Sequence, residues 1–240
     1  MAKPAYRRIL IKLSGEALLG NQPYGVDPEA CSKIASSIQE ITKIGVQVGV
    51  VIGGGNIFRG VKGVAAGMER TAADHVGMLA TLINGISLQQ AFEKIRSESR
   101  IMTAIACPPA VAEPYSWKDA LEYLDENVVL IFVGGTGNPY FTTDSAAALR
   151  ALEIRAEVLL KATTKVDGVY DKDPLKHPDA KKFERLSYSE VLAQNLQVMD
   201  GAAVALCREN RIPIRVFNVF SDRALMKAVC DQSAGTLVEG

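Results

Sequence analysis

Four loops of this chain could gather phosphate. They are Lys12-Leu-Ser-Gly15, Gly53-Gly-Gly-Asn-Ile-Phe-Arg59, Gly134-Gly-Thr-Gly-Asn-Pro-Tyr-Phe-Thr-Thr-Asp144 and Lys161-Ala-Thr-Thr-Lys-Val-Asp-Gly-Val-Tyr-Asp-Lys-Asp-Pro174. Each follows an apolar β-type run. Glycines there let backbone N–H groups approach an anion without Cβ obstruction, and lysines add mobile positive charge. In an open α/β sheet, ligands bind outside the carboxyl ends of the strands. Four such loops predict one crevice holding several phosphates. Tight strand-to-helix turns would explain any one of them, but four together less well.

Two common nucleotide devices are missing. No G-x-x-x-x-G-K-[ST] occurs, and Gly53-Gly-Gly-Asn-Ile-Phe58 fails the G-x-G-x-x-G spacing. Phosphoryl transfer needs positioning and charge neutralisation more than covalent chemistry. Lys12 and Lys161, at strand ends, could reach a transferring phosphoryl from different sides. Asp144 and Asp200 are the carboxylates that could hold them or help bind Mg²⁺. Plainer alternatives exist for each: Lys12 as an edge-strand lysine, and Asp144 and Asp200 as helix N-caps. A cap also sits at the positive end of a helix, so capping and catalysis are compatible.

The elements that must position these residues alternate along the chain. Strands are expected at Ile9–Leu13, Val46–Ile52, Ile101–Ala106, Val128–Val133, Val158–Leu160 and Ile214–Phe217, several of them apolar on both faces, as in a covered parallel sheet. A helix should start at Asp27-Pro28, bury Ile34, Ala35, Ile38 and Ile41, and stop at Gly45. A longer one is expected over Thr71–Ser97, burying Val76, Leu79, Leu82, Ile83 and Ile86. Further helices are expected at Ser116–Glu126, Thr143–Leu152, Ser187–Gln194 (with a capping box in Ser187-Tyr-Ser-Glu190), Asp200–Glu209 and Asp222–Cys230. The pattern predicts an α/β fold: a three-layer α/β/α sandwich with a largely parallel central sheet. No Pro-, Gly- or Ser-rich linker divides the chain, so residues 1–240 read as a single domain. Asp171–Glu184, with Pro174 and Pro178, is the longest loop-like stretch and the one expected to move.

Composition narrows the function classes. Lys+Arg and Asp+Glu are 27 each, so no global field points to nucleic acid or an anionic membrane. Any phosphate binding must come from locally focused charge. The four cysteines have no C-x-x-C spacing and read as reduced, mostly buried small hydrophobes. Two histidines leave little material for a zinc site or a histidine-centred triad, and no metal-ligating residues are assigned. The apolar stretch near Arg7, Arg8 and Lys12 is too short for a signal peptide, and no run is long enough to span a membrane. A cytoplasmic location is expected.

Lys12-Leu-Ser-Gly-Glu16, Val50-Val-Ile-Gly-Gly-Gly-Asn56 and Lys165-Val-Asp-Gly-Val-Tyr-Asp-Lys-Asp-Pro174 resemble the amino-acid kinase family. That family includes kinases of aspartate, acetylglutamate, glutamate and carbamate, and the bacterial uridylate kinases. Gly54-Gly-Asn-Ile-Phe-Arg-Gly60, Asp74-His-Val-Gly-Met-Leu-Ala80 and Gly135-Thr-Gly-Asn-Pro-Tyr-Phe-Thr-Thr-Asp-Ser145 resemble the bacterial UMP kinase branch. The match runs from about Arg8 to Leu237.

The resemblance implies transfer of the γ-phosphoryl of ATP to UMP with Mg²⁺, in pyrimidine nucleotide synthesis. It implies that Lys12, Leu13, Ser14, Gly15 and Gly55 face the ATP phosphates, and that Arg59 lies between the nucleotides. Thr163 or Thr164, Tyr170 and Asp173 would hold the ATP base and ribose; the doubled threonine leaves the choice open. Gly54, Asp74 and the loop Thr136, Gly137, Asn138, Pro139, Tyr140, Phe141, Thr142 and Thr143 would hold UMP. The resemblance also implies a homohexamer, activation by GTP and inhibition by UTP. Gly20, Asn21, Gln22, Pro23, Tyr24 and Gly25 resemble the segment linked to GTP activation. Gln89, Gln90 and Glu93 stand where basic residues would be expected, leaving Lys94, Arg96 and Arg100 for a triphosphate. The competing readings are a sibling kinase of an amino-acid carboxylate or carbamate, and a non-catalytic nucleotide sensor.

Overall fold

A computed structural model describes residues 3–196, 198–231 and 234–240. Its centre is one nine-stranded sheet. The strands are β1 (Arg8–Leu13), β2 (Gln47–Ile52), β3 (Ser99–Thr103), β4 (Glu113–Pro114), β5 (Val129–Val133), β6 (Val158–Thr163), β7 (Arg185–Ser187), β8 (Ile214–Asn218) and β9 (Thr236–Glu239). They lie in the order β4-β3-β5-β2-β1-β6-β8-β9-β7. Every pairing is parallel except β8 with β9. The helices are α1 (Pro28–Thr42), α2 (Gly60–Ala65), α3 (Arg70–Lys94), α4 (Trp117–Asp125), α5 (Thr143–Glu153), α6 (Tyr188–Ala193), α7 (Gly201–Asn210) and α8 (Ala224–Cys230), with a 3-10 turn at Gly15–Leu18.

Alternate residues of the central strands feed two cores. Ile9, Ile11, Leu13, Val48, Val50 and Ile52 face the layer that holds Ile34, Ile38, Leu88, Phe92 and Val229. Leu10, Val51, Leu130 and Leu159 face Leu124, Ala147, Ala151 and Val204. Burial on both faces is why these strands read as continuous apolar runs rather than alternating ones. β1 is the fifth strand of nine, so Lys12 is no edge-strand lysine; it stands at the end of the middle strand.

The local signals work as chemistry requires. Asp27 caps α1 by accepting from Glu29 N, with Pro28 at the first turn. Ser187 and Glu190 close the capping box of α6. Two expectations are corrected. Thr142, not Asp144, caps α5, and its side chain accepts from Asp144 N and Ser145 N, which leaves the Asp144 carboxylate free to point into the crevice. Leu82 is buried on α3 as expected, but the rest of the buried face is different: Ala73, Met78, Thr81, Asn84, Gly85 and Leu88 lie inside, whereas Leu79 is 54%, Ile83 50% and Ile86 40% exposed. The small residues win because α3 lies close against both the loop after β2 and strand β5: a Cβ on Gly54 would sit 2.8 Å from Gly77 O, and one on Gly85 2.6 Å from Val133 Cγ1.

β4, β7 and β9, of two to four residues, are too short to carry a periodic signal. The 171–184 excursion is laced back on itself by Lys181 N to Asp171 Oδ1 at 2.8 Å, Lys172 to Asp179 at 2.5 Å, and a bridge between Tyr170 and Lys182.

Candidate active site

Lys12 and Lys161 are register partners on adjacent parallel strands, so their side chains leave the sheet on the same face. Both end on Asp144, in the first turn of α5. Lys161 Nζ donates to Asp144 Oδ2 at 2.8 Å, and Lys12 Nζ lies 2.9 Å from Oδ1. The Lys12 contact is an ion pair without good hydrogen-bond direction, so Oδ1 is buried with no well-aligned donor. Burial alone would raise the Asp144 carboxyl, but the two ammonium groups outweigh it and hold the group below the ordinary carboxylate range. Burial, reinforced by the Lys12 charge, pushes the Lys161 ammonium below the usual lysine value, against the pull of Asp144 and Asp200. Two ammonium groups converge on one carboxylate in a mostly dry centre, with Asp200 close enough to act on Lys161, an arrangement suited to receive a phosphoryl group's negative charge.

Asp200 serves this centre at one remove. It caps α7 by accepting from Ala203 N at 2.9 Å, accepts the Thr142 hydroxyl, and takes the Ser145 hydroxyl at 3.2 Å. It therefore fixes the first turn of α5, on which Asp144 rides. Ser145 gives no sequence signal for this role.

Beside the lysines the backbone is packed too tightly for side chains. A Cβ on Gly15 would sit 2.1 Å from Asn56 Oδ1 and 2.7 Å from Gly53 O. Ser14 caps the 3-10 turn through Glu16 N, and Leu13 is buried, so only its backbone is available to a ligand. Arg59 donates from Nε to Gly55 O at 3.1 Å and pairs with Glu16.

A cavity of about 400 Å³ opens next to this centre. Gly54, Gly55, Arg59, Asp74, Thr136, Asn138, Phe141, Thr142 and Thr143 line it, together with Arg70, Gly77 and Thr81. Gly137, Pro139 and Tyr140 are not in its wall. Gly137, at φ +79°, packs against Ala104 O instead. Tyr140 takes a left-handed φ of 70° and donates its N–H to Asp74 Oδ2 at 2.8 Å. Arg70 grips both Asp74 oxygens from Nε, at 3.0 and 2.8 Å, and its guanidinium stands 5.3 Å from the Tyr140 ring. Arg70 is absent from the sequence reading, although its spacing of four from Asp74 on a helix is a legible ion-pair signal.

A second cavity of about 570 Å³ is lined by Tyr170, Asp173, Lys172, Gly168 and the turn Gln194–Leu196. Tyr170 OH donates to Asp167 Oδ1 at 2.5 Å, and that hydrogen bond, with some burial, pushes the phenol up to about 12. The Thr163 hydroxyl is spent on Val166 O and Phe217 O, whereas the Thr164 hydroxyl makes no hydrogen bond within the described residues.

The two parts of the expected effector site lie apart in one chain. Gly20–Gly25 follows the carboxyl end of β1 and is tied to the loop after β2, Gly25 N donating to Asn56 O at 3.0 Å. Arg100 lies near the amino end of β3, at the other end of the sheet, in a cavity of about 400 Å³ with Gln89, Glu93, Glu98, Ser99 and Glu113. It pairs with Glu113 at 3.3 Å and stands over Tyr123. Among the described residues, no three His, Cys, Asp or Glu side chains converge to hold a metal ion, and no helix is long and apolar enough to cross a membrane.

The comparisons with known proteins agree with this geometry. The sequence profile of the amino acid kinase family matches residues 7–218. The chain is 59% identical to a uridylate kinase of Protochlamydia amoebophila (strain UWE25) over 236 residues, covering 97% of this chain and 93% of that one. The fold is similar to the crystal structure of UMP kinase from Bacillus anthracis, with a TM-score of 0.92, 40% identity and coverage of 98% and 96%. It is similar also to UMP kinase from Ureaplasma parvum, with a TM-score of 0.91, 38% identity and coverage of 98% and 99%. A chain that matches this profile over most of its length, and these relatives over nearly all of it, belongs to the amino acid kinase family, in its uridylate kinase branch.

Proposed function

We propose that this chain transfers the γ-phosphoryl of ATP to UMP, giving ADP and UDP, as a single amino-acid-kinase-type domain supplying pyrimidine nucleotide (UTP and CTP) synthesis. The observation that carries the reading is the pair of lysines on adjacent strand ends, both on Asp144, beside the Asp74 cavity. In the reaction a phosphate oxygen of UMP bonds to the γ-phosphorus as the bond to the β–γ bridging oxygen breaks. Lys12 and Lys161 neutralise charge on the transferring group, and Asp144 fixes both ammonium groups. Arg59 reaches between donor and acceptor phosphates. Asp200 acts on the centre through Thr142 and Ser145.

Backbone at Leu13–Gly15 and Gly55 receives the ATP phosphates, and Tyr170 and Asp173 receive adenine and ribose. Thr164 is the threonine that meets ATP, since Thr163 is committed to backbone carbonyls. Gly54, Asp74 and the 136–143 loop hold UMP, Asp74 accepting from ribose hydroxyls. Mg²⁺ arrives as part of the MgATP substrate. The protein's donor set does not fit a resident ion, because Asp144 is committed to two lysines and Asp200 to two hydroxyls.

We assign assembly to the apolar stripe Leu79, Ile83 and Ile86 of α3, exposed here and suited to a second copy within a homohexamer. UTP inhibits from the UMP cavity, whose uracil and ribose contacts it shares. GTP activates weakly, with Arg100 already paired and ringed by Glu93, Glu98 and Glu113. The enzyme works in the cytoplasm. An ADP-release assay across UMP, CMP, dUMP, aspartate, glutamate and carbamate tests the reading. UMP should be the preferred acceptor. Preference for a carboxylate or carbamate would overturn it in favour of a sibling kinase, and a failure to form ADP with any of the acceptors would overturn it in favour of a non-catalytic nucleotide sensor.

A further inference from the structure

Helix α3 carries two polar side chains one turn apart on its buried face, Thr81 and Asn84, at 4% and 0% exposure. Neither is needed to make the helix, and buried polar groups must be satisfied to be tolerated. Their hydrogen bonds run to two different loops of the site. Thr81 Oγ1 accepts the N–H of Gly134 at 2.7 Å, where the acceptor loop leaves β5, and donates back to Met78 O at 2.6 Å. Asn84 Nδ2 donates to Gly53 O at 2.6 Å and to Asn56 Oδ1 at 2.8 Å, on the loop after β2. Asn56 Nδ2 returns to Asn84 Oδ1 at 3.0 Å and to Gly25 O at 2.7 Å. Gly54 lies on the helix with no room for a Cβ, against Gly77 O and Ala80.

We propose that Thr81 and Asn84 are positioning residues, and that α3 is the ruler that sets the separation of the loop after β2, which carries Gly55 toward the donor phosphates, from the acceptor loop after β5. One turn of helix separates the two anchor points, about 5 Å along the axis, and a helix is stiff at that scale. In-line transfer demands close control of that separation, since a misplacement of about 1 Å can cost on the order of 10²-fold in rate. Gly134 can answer to Thr81 because its own backbone is fixed: it stands at φ +77°, packed against Ala104 N and Ile105 N. The proposal rests on the kinase reading of the site but not on the identity of the acceptor.

The test compares Thr81→Val, which keeps the shape and removes the acceptor for Gly134 N–H, with Thr81→Ser, which keeps the hydroxyl and loses a methyl. Both are assayed with whichever acceptor the substrate panel identifies, so a failure of the UMP reading is seen separately. Thr81→Val should lower kcat on the order of 10- to 100-fold, while the KM values for both nucleotides stay within about threefold. Thr81→Ser should keep kcat within about twofold even where its melting temperature falls. Hydrogen exchange at the Gly134 amide should quicken in Thr81→Val alone. Wild-type kcat in Thr81→Val would overturn the proposal. So would a Thr81→Ser variant as slow as Thr81→Val, because packing of the methyl would then carry the effect.

Discussion

The phosphoryl centre and the Arg100 cavity are both clusters of cations and carboxylates, at opposite ends of the sheet, and they differ in arithmetic and burial. At the centre, two lysines share one aspartate in a site where all three side chains are at most 16% exposed. Even with Asp200 acting on Lys161, cations match carboxylates there, and water screens them little. Around Arg100, one cation faces Glu93, Glu98 and Glu113, and the arginine is nearly half exposed. There the balance is negative and screened. A phosphate-rich ligand is drawn to the first and offered little by the second. Local charge count, rather than the chain's net charge of zero, separates the two.

The largest expected effect lies in the first region. Lys161→Met should fold normally and lose about 10²–10³ in kcat, roughly 3–4 kcal/mol, by removing one preorganised contact with the transferring group. Wild-type turnover in a folded Lys161→Met protein would dismiss the role. Asp74→Asn should come next. The amide keeps the shape but gives up charge and an acceptor, so the UMP KM should rise about tenfold, on the order of 1–2 kcal/mol, with ATP KM nearly unchanged. A rise in ATP KM alone would mean that the two nucleotide cavities are assigned the wrong way round.

Effects at the second region should be small. In a rate titration at low UMP, GTP should activate the wild type weakly, and Glu113→Gln, which frees Arg100, should strengthen the response about two- to threefold. Arg100→Ala should abolish what response there is; a full response in that variant would move the effector elsewhere. Stability against acid should show the smallest difference. Because the folded Asp144 carboxyl lies below its unfolded value, its contribution is present above about pH 4 and lost as pH falls through the folded value. Asp144→Asn should lack that component of the acid-unfolding curve, read by circular dichroism.

The sequence disclosed the central strands and most helices because their signals are local: apolar runs covered on both faces, Asp27-Pro28, and the Ser187–Glu190 box. It misjudged α3, where a helix wheel favours the large residues Leu79, Ile83 and Ile86. The inward face is instead chosen by backbone contact with Gly54 and by the needs of Gly134 and Gly53, which lie 53 and 31 residues along the chain from Thr81 and Asn84, beyond the reach of any periodicity. Lys12, Lys161 and Asp144 were legible as types at strand and helix ends; that one aspartate holds both lysines depends on the β1–β6 register, which no short motif states. Asp200 looked like a cap and is one, and its hold on Thr142 and Ser145 is visible only in three dimensions.

The central claim is that Lys12, Asp144 and Lys161 work as one unit on the transferring phosphoryl. The most direct measurement is a double-mutant cycle on kcat at saturating ATP and UMP, using Lys12→Met, Lys161→Met and the pair. Groups that act as a unit are strongly non-additive, so the double variant should be no slower than the worse single one by more than about tenfold. If the two losses multiplied in full, the lysines would be acting independently and the single-unit centre would be contradicted.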